Sequence, residues 1–187
     1  NVYSISWVGY ELATTASTRQ VFNTEAIKLG VMGTTLIAAS GDDGVANYQI
    51  ASYGRSRCGY YPAFPSTSPY VTSIGGTMGP ENGEEEISCM ANPQKSIGIT
   101  TGGGFSNNYP IPDFQKDHIA DYFQTVMGTD KRPSQTKVPY SSSGRGYPDV
   151  SLLAHRYLII MAGTARYVDG TSASAPVFGA MVSLVNQ

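Results

Sequence analysis

The sequence predicts an α/β fold in which helices cover both faces of a parallel sheet. Three observations predict it: strand, helix and strand patterns succeed one another within residues 2–39, Thr34–Ala39 reads as a buried strand, and Ser172–Val185 reads as a buried helix. Parallel strands need a crossover connection, and a helix in that place makes the βαβ unit from which such sheets are built.

Val2–Trp7 is rich in β-formers and runs toward Gly9, which suits a strand entering a functional loop. From Thr14 onward Ser and Thr offer N-caps. Phe22, Ala26 and Leu29 then fall at i, i+4 and i+7, one face of an amphipathic helix ending near Gly30 or Gly33. After the strand Thr34–Ala39, residues 40–69 are rich in Gly, Ser, Tyr and Pro and read as loops around a short hairpin. Tyr70–Gly75 is a further strand, and the charge run Glu81–Glu86 reads as a solvated turn. Beyond Gly102-Gly103-Gly104 and a Pro-punctuated loop, Pro112–Met127 has helical spacing with Ile119, Tyr122, Phe123 and Val126 on its apolar side. Pro133–Gly146 reads as loop, and Leu158–Met161 with the segment through Val168 as a strand pair. Ser172–Val185 is small and apolar all round, the mark of a buried helix.

The chain has 187 residues, 14 of them acidic and 12 basic, for a net charge of −2. The few Lys and Arg are scattered, which excludes a basic groove for nucleic acid. Charged residues make up 14%, and 13 Tyr and 6 Phe supply a core, unlike a disordered chain. The length suits one domain. The longest apolar stretches fall far short of the roughly 20 residues of a membrane span. The chain opens on Asn1-Val2-Tyr3, with neither an initiating Met nor a signal peptide, and reads as a mature or cut fragment. Cys58 and Cys89 have no second pair to complete a zinc site. They are a disulfide or two buried thiols, and an oxidising compartment favours the disulfide, closing a loop around the strand Tyr70–Gly75.

The strongest chemical signal is Gly170-Thr171-Ser172-Ala173-Ser174-Ala175-Pro176, where a strand and tight turn meet the final helix. A Ser at a helix N-terminus lies beside unpaired backbone N–H groups and the positive end of the helix dipole, which stabilise charge developing on a substrate carbonyl oxygen. The plainer role for Ser172 is a helix cap. The heptapeptide resembles the nucleophile segment of subtilisin-like peptidases. Those enzymes take a His base from an H-G-T-H setting, and here His118 and His155 have no such neighbours and read as surface or packing residues. A nucleophilic Ser172 therefore needs a base other than imidazole. The second signal is Ser40-Gly41-Asp42-Asp43-Gly44, directly after the buried strand. Chemistry in parallel sheets gathers at the carboxyl ends of strands, although Gly-Asp-Asp-Gly is also a common turn.

Together with Phe64-Pro65, Ser68-Pro69-Tyr70-Val71-Thr72, Gly75-Gly76-Thr77, Gly102-Gly103-Gly104-Phe105-Ser106-Asn107, Gly144-Arg145 with Tyr147-Pro148-Asp149-Val150, and Pro176-Val177-Phe178-Gly179, these motifs resemble the sedolisin family of serine-carboxyl peptidases, particularly its lysosomal tripeptidyl peptidases. The resemblance implies a subtilisin-like parallel sheet with helices on both faces, incomplete at both ends, residues 1–187 being the central and C-terminal part of one peptidase domain. It implies an acid-acting peptidase with Ser172 as nucleophile, a Glu base oriented by an Asp, and Asp42 as protonated oxyanion donor. It also implies peptide or protein substrates pairing with Ser6 and Trp7 and approaching Gly102, Gly103 and Gly104, in a secreted, lysosomal or acidic vacuolar setting.

Departures from the family pattern accompany the matches. The family's Glu-x-x-x-Asp helix lies upstream of the segment matching Val2–Trp7, and no Glu here has an Asp four residues later. Asp117 and Asp121 have a four-residue spacing but fall on a peripheral helix and read as solvated. The family's calcium ligands lie beyond Gln187, so no cofactor or metal site is expected within this chain, and calcium is expected only in a complete family member. These residues alone are expected to be inactive and to depend on the remainder of the peptidase domain or another chain. The alternative is a sedolisin-like module retained for structure or binding.

Overall fold

The computed structural model describes residues 1–95, 97–127 and 138–187. In chain order its strands are β1 (Val2–Ile5), β2 (Gly9–Tyr10), β3 (Thr35–Ala39), β4 (Ala63–Phe64), β5 (Thr72–Met78), β6 (Ile87–Ser88), β7 (Gly104–Pro110), β8 (Gly144–Tyr147), β9 (Val150–Leu153), β10 (Tyr157–Met161) and β11 (Thr164–Val168). The α-helices are α1 (Ala16–Val31), α2 (Gln49–Tyr53), α3 (Lys116–Met127) and α4 (Thr171–Val185).

Parallel pairing runs β1–β3–β5, and β5 continues in parallel to β9 through Ile74–Thr77 while its last two residues pair antiparallel with β6. Side chains of β3 alternate between the two faces of the sheet. Leu36 and Ala38 pack with Ala26, Phe22 and Leu29 of α1, whereas Ile37 and Ala39 pack with Ile74 of β5 and Ala175, Phe178 and Val182 of α4. Helices therefore cover both faces, and the helical face foreseen from Phe22, Ala26 and Leu29 is the one that α1 buries. The Thr15 side chain accepts the Thr18 N–H at its start, and at its end Gly33 and Thr34 donate to the carbonyls of Gly30 and Leu29 in a Schellman arrangement.

The motif Gly144-Arg145 to Asp149 holds β9 against β5. Buried Arg145 donates to the carbonyls of Ser66 and Val71 and to Asp149 Oδ2 at 2.7 Å, and the same oxygen accepts the Ser73 N–H.

Several expectations change. Residues 40–69 hold α2 instead of a hairpin, because β4 pairs with the distant β2. The strand pair foreseen from Leu158 through Val168 does form, as β10 and β11, and it is antiparallel. The stretch Gly104–Pro110 is a strand paired with β8, and residues 133–137 of the expected loop Pro133–Gly146 lie outside the described residues. Only one face of α4 is buried, through Thr171, Ser174, Ala175 and Gly179, while Met181, Leu184 and Val185 are exposed. Glu81 is not part of a solvated turn, since it meets buried His155.

Cys58 and Cys89 are both free, which corrects the expected disulfide. Cys89 is fully buried against Met78, Ile97 and Ala154, whereas Cys58 is exposed after a 3-10 turn at Arg55–Arg57. A disulfide needs its two sulfurs within about 2 Å, and a buried and an exposed side chain do not meet that condition here.

Candidate active site

The site forms where β1 and β3 end. Ser6 follows β1, and Ser40–Asp42 follow β3. Across from both stands the N-terminus of α4, whose orphan N–H groups have no intrahelical acceptor. Gly170 is the N-cap residue and supplies no side chain. Asp42, 129 residues before Thr171 in sequence, takes that place: its Oδ1 accepts both the Thr171 N–H and the Thr171 hydroxyl, each at 2.8 Å. The Thr171 hydroxyl in turn accepts the Gly41 N–H at 3.1 Å. A carboxylate here complements the helix dipole while fixing the loop after β3 to the turn before Ser172.

The second carboxylate oxygen, Oδ2, faces the turn. A Cβ on Gly170 would stand 3.3 Å from Asp42 Oδ2 and 3.7 Å from Ser172 Cβ, and the φ of Gly170 is +147°, where L side chains are strained. Glycine thus leaves a gap between the carboxyl and the serine that any other residue would fill.

Ser172 is exposed and does not cap its helix. Its hydroxyl donates to the Ser6 carbonyl at 3.1 Å, and the Ser6 hydroxyl donates to the Ser172 carbonyl at 2.8 Å. Ser174 is buried and donates to the Leu153 carbonyl at 2.8 Å, which separates the roles of the two serines in the motif. Trp7 is exposed beyond β1. Gly102 lies along the loop after β3, donating its N–H to the Gly41 carbonyl at 2.7 Å, and a Cβ there would fall 2.2 Å from the Ser40 carbonyl oxygen. Gly103 and Gly104 line a cavity of about 1030 Å³ with Phe105, Ile119 and Tyr122, and neither Ser172 nor Asp42 is among its walls. Asp43 is bridged to Thr100, and partial burial together with the neighbouring Asp42 raises its pKa.

Ser172, Asp42, Ser6 and Gly102 thus come together, while Cys58 stays apart in solvent. Two acidic residues take roles that their sequence patterns did not signal. Glu11 is fully buried and accepts from the Ser106 hydroxyl and the Asn107 N–H, fixing the strand that follows the three glycines. Glu81 pairs with His155 as described above. Neither shows a periodic or motif signal, because each partner is remote in sequence. Among the described residues no group of three or more His, Cys, Asp or Glu side chains is arranged to hold a metal ion. No helix among them is long and apolar enough to cross a membrane.

The fold is that of Pseudomonas sedolisin, a serine-carboxyl proteinase: the two superpose with a TM-score of 0.69 at 23% identity, over 97% of this chain and 46% of that one. No family profile matches the chain. In sequence it is 37% identical over 182 residues to tripeptidyl-peptidase SED1 of Arthroderma otae, 36% identical over 182 residues to physarolisin of Physarum polycephalum, and 34% identical over 188 residues to tripeptidyl-peptidase 1 of Homo sapiens. These alignments cover 87%, 88% and 100% of this chain and 27%, 31% and 31% of the respective relatives, so the chain spans about three tenths of their length. The chain belongs to the sedolisin family and resembles its tripeptidyl peptidases.

Proposed function

We propose that the protein is an acid-acting serine-carboxyl peptidase in which Ser172 attacks the scissile carbonyl of a peptide or protein substrate. The observation that carries this reading is the junction of Asp42 and Ser172 across Gly170 and Thr171. Oδ1 of Asp42 is committed as an acceptor, so a proton on this carboxyl belongs on Oδ2, the oxygen on the Gly170 side of the group. Protonated, it donates to an oxyanion; ionised, it would repel one, which ties turnover to acid. Attack forms an Oγ–C bond and passes the serine proton to a base and then to the leaving amine as the C–N bond breaks. Water then attacks the acyl-enzyme carbonyl, passing a proton through the base to Ser172 Oγ as the Oγ–C ester bond breaks and the carboxyl product leaves. At about pH 4 imidazole is protonated and a Glu can serve as base. We assign that base to a Glu/Asp dyad carried outside these 187 residues. Substrate backbone lies along Ser6 and Trp7 and approaches Gly102–Gly104, in a secreted, lysosomal or acidic vacuolar setting. Family relatives support an endopeptidase or a tripeptidyl peptidase.

One observation favours the second reading, a sedolisin-like binding module: the Ser172 hydroxyl donates to a backbone carbonyl and not to a base. Peptidase assays of the full-length protein across the acid range separate the two. Ser172→Ala should abolish turnover and leave folding intact. A wild-type protein without activity, or a Ser172→Ala variant as active as wild type, would sink the peptidase assignment.

A further inference from the structure

A second polar cluster, linked to the residues before Ser172 through Asp169 and Gly170, has no part in the proposed reaction. His155 is buried and its Nδ1 lies 2.5 Å from Oε1 of Glu81, itself nearly buried. A carboxylate can only accept, so Nδ1 carries the proton and donates it. Glu81 is fixed from its other side, where Oε2 accepts the Gly79 N–H at 2.8 Å. His155 is the middle residue of a turn that is bonded in three places. The Ala154 N–H donates to Thr77 of β5, the Ala154 carbonyl accepts the Gly170 N–H at 2.8 Å, and the Arg156 N–H donates to Asp169 Oδ1 at 2.9 Å. Asp169 and Gly170 immediately precede Thr171, which donates twice to Asp42, and Ser172. Arg156 has a φ of +56°, a region that a non-glycine residue keeps only when its surroundings fix it. The pinned imidazole is such a fixture, since it anchors the neighbouring residue from within the protein.

We propose that His155, held by Glu81, is a positioning residue for the nucleophile turn: through the Ala154–Arg156 turn it sets Asp169 and Gly170, and thereby the distance between Asp42 and Ser172. This rests on the peptidase reading of that site. The path is short and continuous. Glu81 orients His155, the turn clamps Asp169 and Gly170, and Gly170 is the residue that separates the Asp42 carboxyl from Ser172. Misplacement of reacting groups by about 1 Å can cost on the order of a hundredfold in rate.

The test uses the full-length protein with a peptide substrate at acid pH, comparing His155→Ala, His155→Asn, Glu81→Ala and, as a control in the same loop, Glu86→Gln. His155→Ala should lower kcat about tenfold or more, by the same misplacement argument, with KM little changed. His155→Asn, whose amide donates from near the Nδ1 position, should recover most of that loss, and Glu86→Gln should match wild type. Amide hydrogen exchange at Gly170 and Thr171 should quicken in His155→Ala more than elsewhere in α4. Unchanged kcat in a folded His155→Ala, a loss confined to KM, or uniform loosening without a local rise at these two amides would overturn the proposal. If His155→Ala does not fold, Glu81→Ala, which removes the acceptor that holds Nδ1, carries the same comparison. An inactive wild type defeats the peptidase reading instead, and the exchange measurement then still decides the role of His155.

Discussion

The two carboxyl oxygens of Asp42 have different surroundings. Oδ1 is saturated by Thr171, which leaves Oδ2 as the atom that differs between the protonated and ionised forms on the side of Ser172. In Asp42→Asn the amide oxygen can keep both Thr171 bonds while the NH2 takes the Oδ2 place and donates at any pH. The variant should retain part of its activity, and its kcat/KM should fall less steeply than wild type as pH rises. Parallel profiles for the two proteins would show that Asp42 does not donate to the oxyanion. Both Asp42 and Ser172 were legible in the sequence because each sits in a contiguous motif. Glu81 and His155 were not: they lie 74 residues apart, one inside a charge run and the other between Ala154 and Arg156, and only the folded turn joins them.

At the scale of elements, the β3 strand was readable from composition because burial on both sides demands an apolar run. Leu36 and Ala38 serve one face, and Ile37 and Ala39 the other. The final helix was readable as a helix but not in its exposure. An apolar surface all round states what could be buried, while the neighbours decide what is. Ser174 illustrates the same dependence, since identical residues two positions apart do different work. Ser172 faces the site, and Ser174 fastens α4 to β9 through the Leu153 carbonyl. Ser174→Ala removes that donor and should cost about 1 kcal/mol of stability, with turnover retained. Denaturant unfolding together with the peptidase assay checks both halves. Loss of activity without loss of stability would mean that the motif's second serine belongs to the chemistry.

The sheet order depends on contacts across the whole molecule, and here the sequence reading was least complete. β9, which among the described strands pairs with β5 alone, gave no strand signal of its own because its placement rests on the Arg145–Asp149 pair and on β5. The same long-range packing decides the fate of the cysteines. Burial, followed by the carboxylates of Asp169, Glu81 and Asp42, pushes the Cys89 thiol up to about 11. The raised value means less thiolate at neutral pH, and the thiolate is the species that reacts. Burial also blocks access, so both effects protect Cys89 in the native state, whereas Cys58 stands in solvent. Alkylation without reductant, read by mass spectrometry, should therefore modify Cys58 alone in the folded protein and both cysteines in denaturant. Failure to modify either one in denaturant would mean that they are cross-linked, and that the packing around Cys89 differs from the arrangement described here.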